Sequence, residues 1–366
     1  MKKLFRGILG ILTLLACTSC SLFACSDANS SSATPAPERD FKNVIVVIGD
    51  GMGKNHLLNT ILYYDLETPA FFANQEGYIN TDSLSGTTDS AAGGTALATG
   101  KKVNNGSVAQ HEGVNLQQIT EIAKAANMKT GVVTTDTLDG ATPAAFSAHA
   151  PDRGSTSKIV NTQVKSGMDL LLGRHSGAYA FYGKDFRAQQ YVFVETKDAL
   201  FASKTANKLV GLIRNVDSQY RVGCEEEFQL KDMAKFAVEY LENDNGFFLM
   251  IEGAYIDKYS HSSRIYDAMA ETRSLIDVIA YLYEYAADGE TAIFITADHE
   301  TGGLQLAQTK DEIGTQLYTT GDHTSTPVPL FVKNYVFDAT SFGYAEGVTP
   351  ENTVVFEACK SIIQGN

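Results

Sequence analysis

Five short apolar runs constrain this chain more than any other feature: NVIVVI at 43–48, GVVTT at 131–135, GFFLMI at 246–251, TAIFIT at 291–296 and VPLFV at 328–332. None alternates polar with apolar residues as a strand with one wet face must, so each reads as a strand buried on both faces. Such strands belong to a mostly parallel sheet covered by helices on both sides, and amphipathic stretches lie between the runs at 116–127 and 262–285. In the second stretch Ile265, Met269, Leu275, Ile276, Ile279 and Leu282 recur at helical spacing and form its predicted core face. The predicted fold class is α/β, a three-layer sandwich whose central sheet is mostly parallel and flanked by helices on both faces. Residues 155–230 mix Gly, aromatic and polar residues and read as an excursion from that sheet. Hydrophobic residues make up 44%, and no repeat or low-complexity tract interrupts residues 41–366, which therefore read as one large domain. With 29 Lys+Arg against 43 Asp+Glu the net charge is -14, which excludes a basic nucleic-acid-binding surface.

The N-terminus is expected to be a targeting segment. Lys2, Lys3 and Arg6 precede an apolar run from Ile8 to Ala16, a layout suited to a secretory signal at 1–16 and too short to span a bilayer. Leu14-Leu15-Ala16-Cys17 resembles a bacterial lipobox, so Cys17 is the expected lipid attachment point, with Cys20 and Cys25 as weaker candidates. Residues 17–40 then read as a lipidated cysteine and flexible tether, and the expected location is the bacterial cell envelope. Membrane contact is expected through that anchor alone. Cys224 and Cys359 remain in the domain, and spacing does not decide whether they pair.

The residues after the strands carry the chemistry. Asp50 follows the first run, Glu252 the third, and Asp298-His299 the fourth. Ligands bind at the carboxyl edge of open α/β sheets, so these acids can converge across some 250 residues of chain. One Asp after a strand is more often a cap or turn former. Three together, two of them accompanied by His, point to a metal. Asp257 and His261 stand four apart, on one face if helical, and His323 adds an imidazole just before the last run. Oxygen and nitrogen donors without thiolate suit zinc, with magnesium at an oxygen-only position. Among the other histidines, His56 and His111 read as solvated or loop residues, His149 as a core histidine, and His175 is uninformative. In Thr88-Asp89-Ser90-Ala91-Ala92-Gly93-Gly94 the small residues allow a close-packed helix starting near Ser90, which is a candidate nucleophile as well as a candidate cap.

Seven segments, Asp50-Gly-Met-Gly, Thr88-Asp-Ser-Ala-Ala, Ala141-Thr142-Pro143-Ala144, Glu252-Gly-Ala, Asp257-Lys-x-x-His261, Thr296-Ala-Asp-His299 and Gly321-Asp-His323-Thr324, stand in the order and local spacing found in alkaline phosphatases. The chain resembles that family over about 41–335. The resemblance implies a phosphomonoesterase with two zinc ions and one magnesium, acting on small phosphate monoesters through a phosphoserine. It implies Asp257, His261 and His323 as ligands of the first zinc. Asp50, Asp298 and His299 are implied for the second, with Ser90 as nucleophile beside it. Asp50, Thr142 and Glu252 are implied for magnesium, Arg153 as the phosphate clamp oriented by Asp89, and Lys258 as a lysine reaching phosphate through water. Gly140 departs from the pattern, because relatives commonly carry Asp or His there, and Asp139 is the nearest substitute in sequence. The stretch between His299 and His323 is short, so the surface insertion of larger relatives is not expected, which weakens the inference of a homodimer like theirs. The competing readings are a phosphodiesterase or sulfatase of the same superfamily and a non-catalytic metal- or phosphate-binding surface lipoprotein.

Overall fold

A computed structural model describes residues 40–213 and 228–365. The expected signal at 1–16 and tether at 17–40 lie, save for Asp40, outside the described residues, as does Cys224. Among the described residues no helix is long and apolar enough to cross a membrane.

The main sheet has nine strands: β1 (Asn43–Gly49), β2 (Gln75–Ile79), β3 (Lys129–Thr134), β4 (Leu170–Arg174), β5 (Val192–Val194), β6 (Leu209–Ile213), β7 (Phe247–Gly253), β8 (Thr291–Thr296) and β9 (Val328–Lys333). Their spatial order is β2-β9-β8-β1-β7-β3-β4-β6-β5, and every pairing from β8 to β5 is parallel. Each residue of β1, β7 and β8 is buried, as their unbroken apolar runs require. On one face Lys54–Tyr64, Leu230–Leu241, Tyr255–Ser260 and Ile265–Tyr285 pack around the last and longest of these helices. On the other, Ser90–Thr99, Ile119–Ala125, Ala141–Ala145 and Thr353–Gln364 form a second layer. The six residues forecast as the inner stripe of Ile265–Tyr285 are all buried.

Register delivers the chemistry to one edge. Ile48 of β1 lies opposite Glu252 of β7 and Thr296 of β8, and Thr134 of β3 lies opposite the same Glu252. Asp50, Glu252 and Asp298 thus leave three adjacent parallel strands at the same end, where the crevice of an open α/β sheet forms.

One expectation needs correction, and one forecast strand forms with a direction of its own. Residues 155–230 are not an excursion: 170–213 supply β4, β5 and β6, which extend the sheet by three parallel strands. Strands of five, three and five residues, broken by Gly173 and Gly211 and by short helices, carry too little periodicity to be recognised. The strand forecast at 328–332 forms, but it runs antiparallel to β8. A parallel return needs a crossover of a dozen or more residues, usually through a helix. Residues 297–327 contain only two-residue strands and short 3-10 turns, so the chain turns back from the edge it has reached. Cys359 is buried in Thr353–Gln364, where burial pushes its thiol well above the usual range.

Candidate active site

Asp50 is held at the mouth of β1 by the turn that follows it. Gly51 has φ +73, and a Cβ there would lie 2.9 Å from the Asp257 backbone and 2.6 Å from Thr301 Oγ1. Only glycine permits both that conformation and that approach. The Gly51 N–H donates to Asp298 Oδ1 at 3.1 Å, and the His299 N–H donates to the same oxygen at 3.0 Å. Asp298 Oδ1 is thereby satisfied, and Oδ2 turns toward His299 Nε2 at 3.4 Å. Asp50 Oδ1 lies 3.4 Å from the same nitrogen. It is buried and among the described residues has no hydrogen-bond partner, an arrangement that calls for a cation.

A second set stands beside the first. His323 Nε2 and His261 Nε2 each approach Asp257 Oδ1 at 3.3 Å, and the two nitrogens are 3.1 Å apart. Their opposite ring nitrogens donate to backbone carbonyls, His261 Nδ1 to Gly321 at 2.6 Å and His323 Nδ1 to Thr88 at 2.7 Å. Those bonds fix the tautomer that leaves Nε2 as a lone-pair donor. Asp257 and His261 sit on the helix Tyr255–Ser260 and its C-cap, as the four-residue spacing requires. His323 arrives through an antiparallel pairing of Thr301 with His323, which stacks its ring on that of His299 at 3.6 Å between centroids.

The two sets share a link absent from the sequence reading. Thr301 Oγ1 donates to Asp257 Oδ1 at 2.5 Å and stands 3.2 Å from His299 Nδ1, from which it accepts. One hydroxyl therefore ties the tautomer of His299 to the carboxylate of the other set. Its only sequence signal is its place two residues beyond His299.

Ser90 opens the helix Ser90–Thr99, and Asp89 is its N-cap, accepting from the Ala92 N–H at 3.0 Å. The cap role that Ser90 was a candidate for falls to Asp89, which frees the hydroxyl. Ser90 Oγ lies 3.2 Å from His299 Nε2. The helix comes this close because of Gly93, whose Cβ would stand 2.6 Å from the Asp298 carbonyl oxygen. Gly93→Ala is expected to cost about 1–3 kcal/mol of stability through overpacking, and to weaken metal binding by displacing Asp298. Urea unfolding and a metal titration of the same variant check this, and unchanged values in both would sink it.

Arg153 donates to Asp89 Oδ2 at 3.2 Å, and Gly106 N–H holds that carboxylate from the other side at 3.1 Å. Arg153 and Asp89, which the resemblance implies for the phosphate clamp, are thus in contact with one another. Thr142 Oγ1 is 3.5 Å from Asp298 Oδ2, while Glu252 accepts from the Thr134 hydroxyl opposite it in the sheet. Lys258 pairs with Asp136 at 2.6 Å. His56 is corrected: it is buried, with Nδ1 accepting from the Gly53 N–H at 3.1 Å and Nε2 at 3.0 Å from Ser260 Oγ. Burial pushes it down to about 4, so it is neutral. His149 is a core histidine between the Ala109 carbonyl and Glu121, and His175 pairs with Glu195.

The electrostatics favour cations. Burial pushes Asp50 well above the usual carboxylate range, and Asp298, Asp257 and Glu252 push it further. Burial, helped by Asp136, takes Glu252 up to about 8. Burial opposes charge on Asp257 too, yet hydrogen bonds with His261 and His323 hold it well below that range. The Asp257 carboxylate takes His261 up to about 9. Asp50, Asp298 and His299, and likewise Asp257, His299 and His323, bring their donor atoms within 4.8 Å of one another. Carboxylate oxygens and imidazole nitrogens at that spacing fit zinc.

The alkaline phosphatase family model matches residues 41–170 and 179–357. Alkaline phosphatase 4 of Bacillus subtilis is 32% identical over 345 residues, covering 84% of this chain and 73% of that protein. The alkaline phosphatase of the Antarctic bacterium TAB5 superposes with a TM-score of 0.72 at 27% identity, over 89% of this chain and 99% of that one. A mutant of that enzyme, with magnesium bound in a site designated M3, superposes at 0.73 with 26% identity, over 89% and 98%. The chain therefore belongs to the alkaline phosphatase family, metal-dependent enzymes that hydrolyse phosphate monoesters, and is itself a phosphomonoesterase.

Proposed function

We propose that this phosphomonoesterase works through a phosphoserine on Ser90, with two zinc ions and one magnesium. Asp257, His261 and His323 would hold the first zinc, Asp50, Asp298 and His299 the second, and Asp50, Thr142 and Glu252 the magnesium. The observation that carries this reading is the position of Ser90 Oγ, 3.2 Å from a histidine nitrogen that faces both Asp50 and Asp298. A serine hydroxyl is a weak nucleophile until a neighbour stabilises its alkoxide. The bound metals supply that Lewis acidity, at the nucleophile and at the leaving oxygen.

The chain's own residues do the rest. Ser90 loses its proton to solvent as its oxygen bonds to phosphorus, and the ester P–O bond breaks on the opposite side, its alkoxide taking up a proton from water to leave as the alcohol. Water then releases phosphate from Ser90. Arg153, braced by Asp89, presents two N–H groups to non-bridging oxygens, a bidentate grip that a lysine cannot reproduce. Lys258, whose Nζ stands 4.5 Å above the Tyr255 ring, would reach phosphate through water.

Supported by the basic and apolar N-terminal segment and by Cys17, the proposed location is the bacterial cell envelope, with the enzyme lipid-anchored. The test uses a chromogenic phosphate monoester and its diester analogue, with metal content measured on the same preparation. Two zinc and one magnesium per chain with strong preference for the monoester are expected. Preference for the diester, or a different metal ratio, would overturn the assignment.

A further inference from the structure

Gly140 is the N-cap of the short helix Ala141–Ala145, two residues before Thr142. The space beside it is filled. A Cβ built on Gly140 would lie 2.6 Å from Asp136 Oδ2 and 3.0 Å from the Thr137 carbonyl oxygen. The Asp136 carboxylate therefore occupies the room that a side chain at position 140 would take. Its other oxygen, Oδ1, is 2.6 Å from Lys258 Nζ, on the residue that follows Asp257.

The backbone of Asp136 is pinned on both sides. Its N–H donates to Thr134 Oγ1 at 2.8 Å, and that hydroxyl donates to Glu252. Its carbonyl accepts from the Arg174 N–H at 2.7 Å. One threonine thus fixes both the carboxylate of Glu252 and the start of the turn that carries Asp136. Asp136 keeps 18% of its side chain exposed, so a water molecule can reach it.

We infer that Asp136 is the positioning residue of the magnesium site: folded across the notch at Gly140, its carboxylate orders the water around a cation held by Glu252 and Thr142, and Lys258 connects it to the phosphate side. Asp139, the nearer acid in sequence, does not take that part, since the carboxylate beside Gly140 is that of Asp136. The inference rests on the magnesium assignment made above. Outer partners that orient metal ligands and their waters typically govern affinity by about 10–100-fold.

The test is a magnesium titration by calorimetry on zinc-loaded protein, with zinc content measured in parallel. Asp136→Asn is expected to weaken magnesium at least about tenfold, with zinc still at two per chain. The double variant Asp136→Ala, Gly140→Asp moves a carboxylate to the other side of the same notch and is expected to restore most of that loss. Asp136→Ala alone is expected to remain weak, which separates replacement of the carboxylate from mere relief of crowding. Circular dichroism melting of each variant establishes that it is folded. Magnesium affinity unchanged in Asp136→Asn, or no recovery in a folded double variant, overturns the role of Asp136. If the unaltered zinc-loaded protein takes up no magnesium, the magnesium assignment itself is wrong.

Discussion

Ser90→Ala is expected to lower kcat/KM for a phosphate monoester at least about a thousandfold, which corresponds to roughly 4 kcal/mol of transition-state stabilisation, and to abolish acid-stable labelling by radioactive phosphate. The size follows from what the hydroxyl does. The proposed route divides the reaction into two displacements at one phosphorus, and without Ser90 only direct attack by water is left. The variant should still fold and hold metal. Ser90 is not the cap of its helix, since Asp89 makes the bond to the Ala92 N–H, and the Gly93 approach to Asp298 does not involve the hydroxyl. Asp50, Asp298 and His299 also keep their mutual distances without it. Metal analysis beside steady-state kinetics and acid quenching tests each part. Activity within tenfold of the parent, or phosphate still trapped on the variant, would show that another group receives the phosphoryl group.

What could be read from the chain, and what could not, follows from how far each feature depends on non-local geometry. Asp50, Glu252, Asp298 and His299 were recognisable because they lie at or just beyond the ends of strands whose apolar runs are unmistakable. Asp257 and His261 were recognisable from a four-residue spacing that a single helical turn turns into proximity. Thr301 and Asp136 were not. Thr301 gains its role from the pairing that sets it against His323, and Asp136 from an empty Cβ position four residues away and a lysine more than a hundred residues on. His56 was misjudged because a single polar letter does not reveal that Ser260 and the Gly53 N–H wait for it in the interior. In the fold, the central strands announced themselves, whereas β4, β5 and β6 are too short and too interrupted by glycine to show a period.

Removal of the metals is expected to lower the melting temperature by on the order of 10 °C or more, and Asp50→Asn is expected to act with opposite sign on the two forms. A ligand that binds only the native state stabilises it by about 4 kcal/mol at a thousand times its Kd, so the two proposed zinc ions would contribute roughly twice that near saturation. At an unfolding entropy of about 2 cal/mol/K per residue, a domain of this size moves by about 1.5 °C per kcal/mol. The site shows why the protein leans on them. Burial and the neighbouring carboxylates of Asp298, Asp257 and Glu252 all push Asp50 toward protonation, and among the described residues its Oδ1 has no donor. In the metal-free protein Asp50→Asn removes the cost of either charging or protonating this buried carboxyl and can donate through its amide, so the variant should melt a few degrees higher than its parent. In the metal-loaded protein the same change deletes a ligand, so it should melt lower and lose activity. Calorimetric scans of both proteins with chelator and with zinc give four melting temperatures whose order should reverse between conditions. A variant destabilised equally in both conditions would mean that Asp50 serves packing and hydrogen bonding alone, and that the cation is held elsewhere.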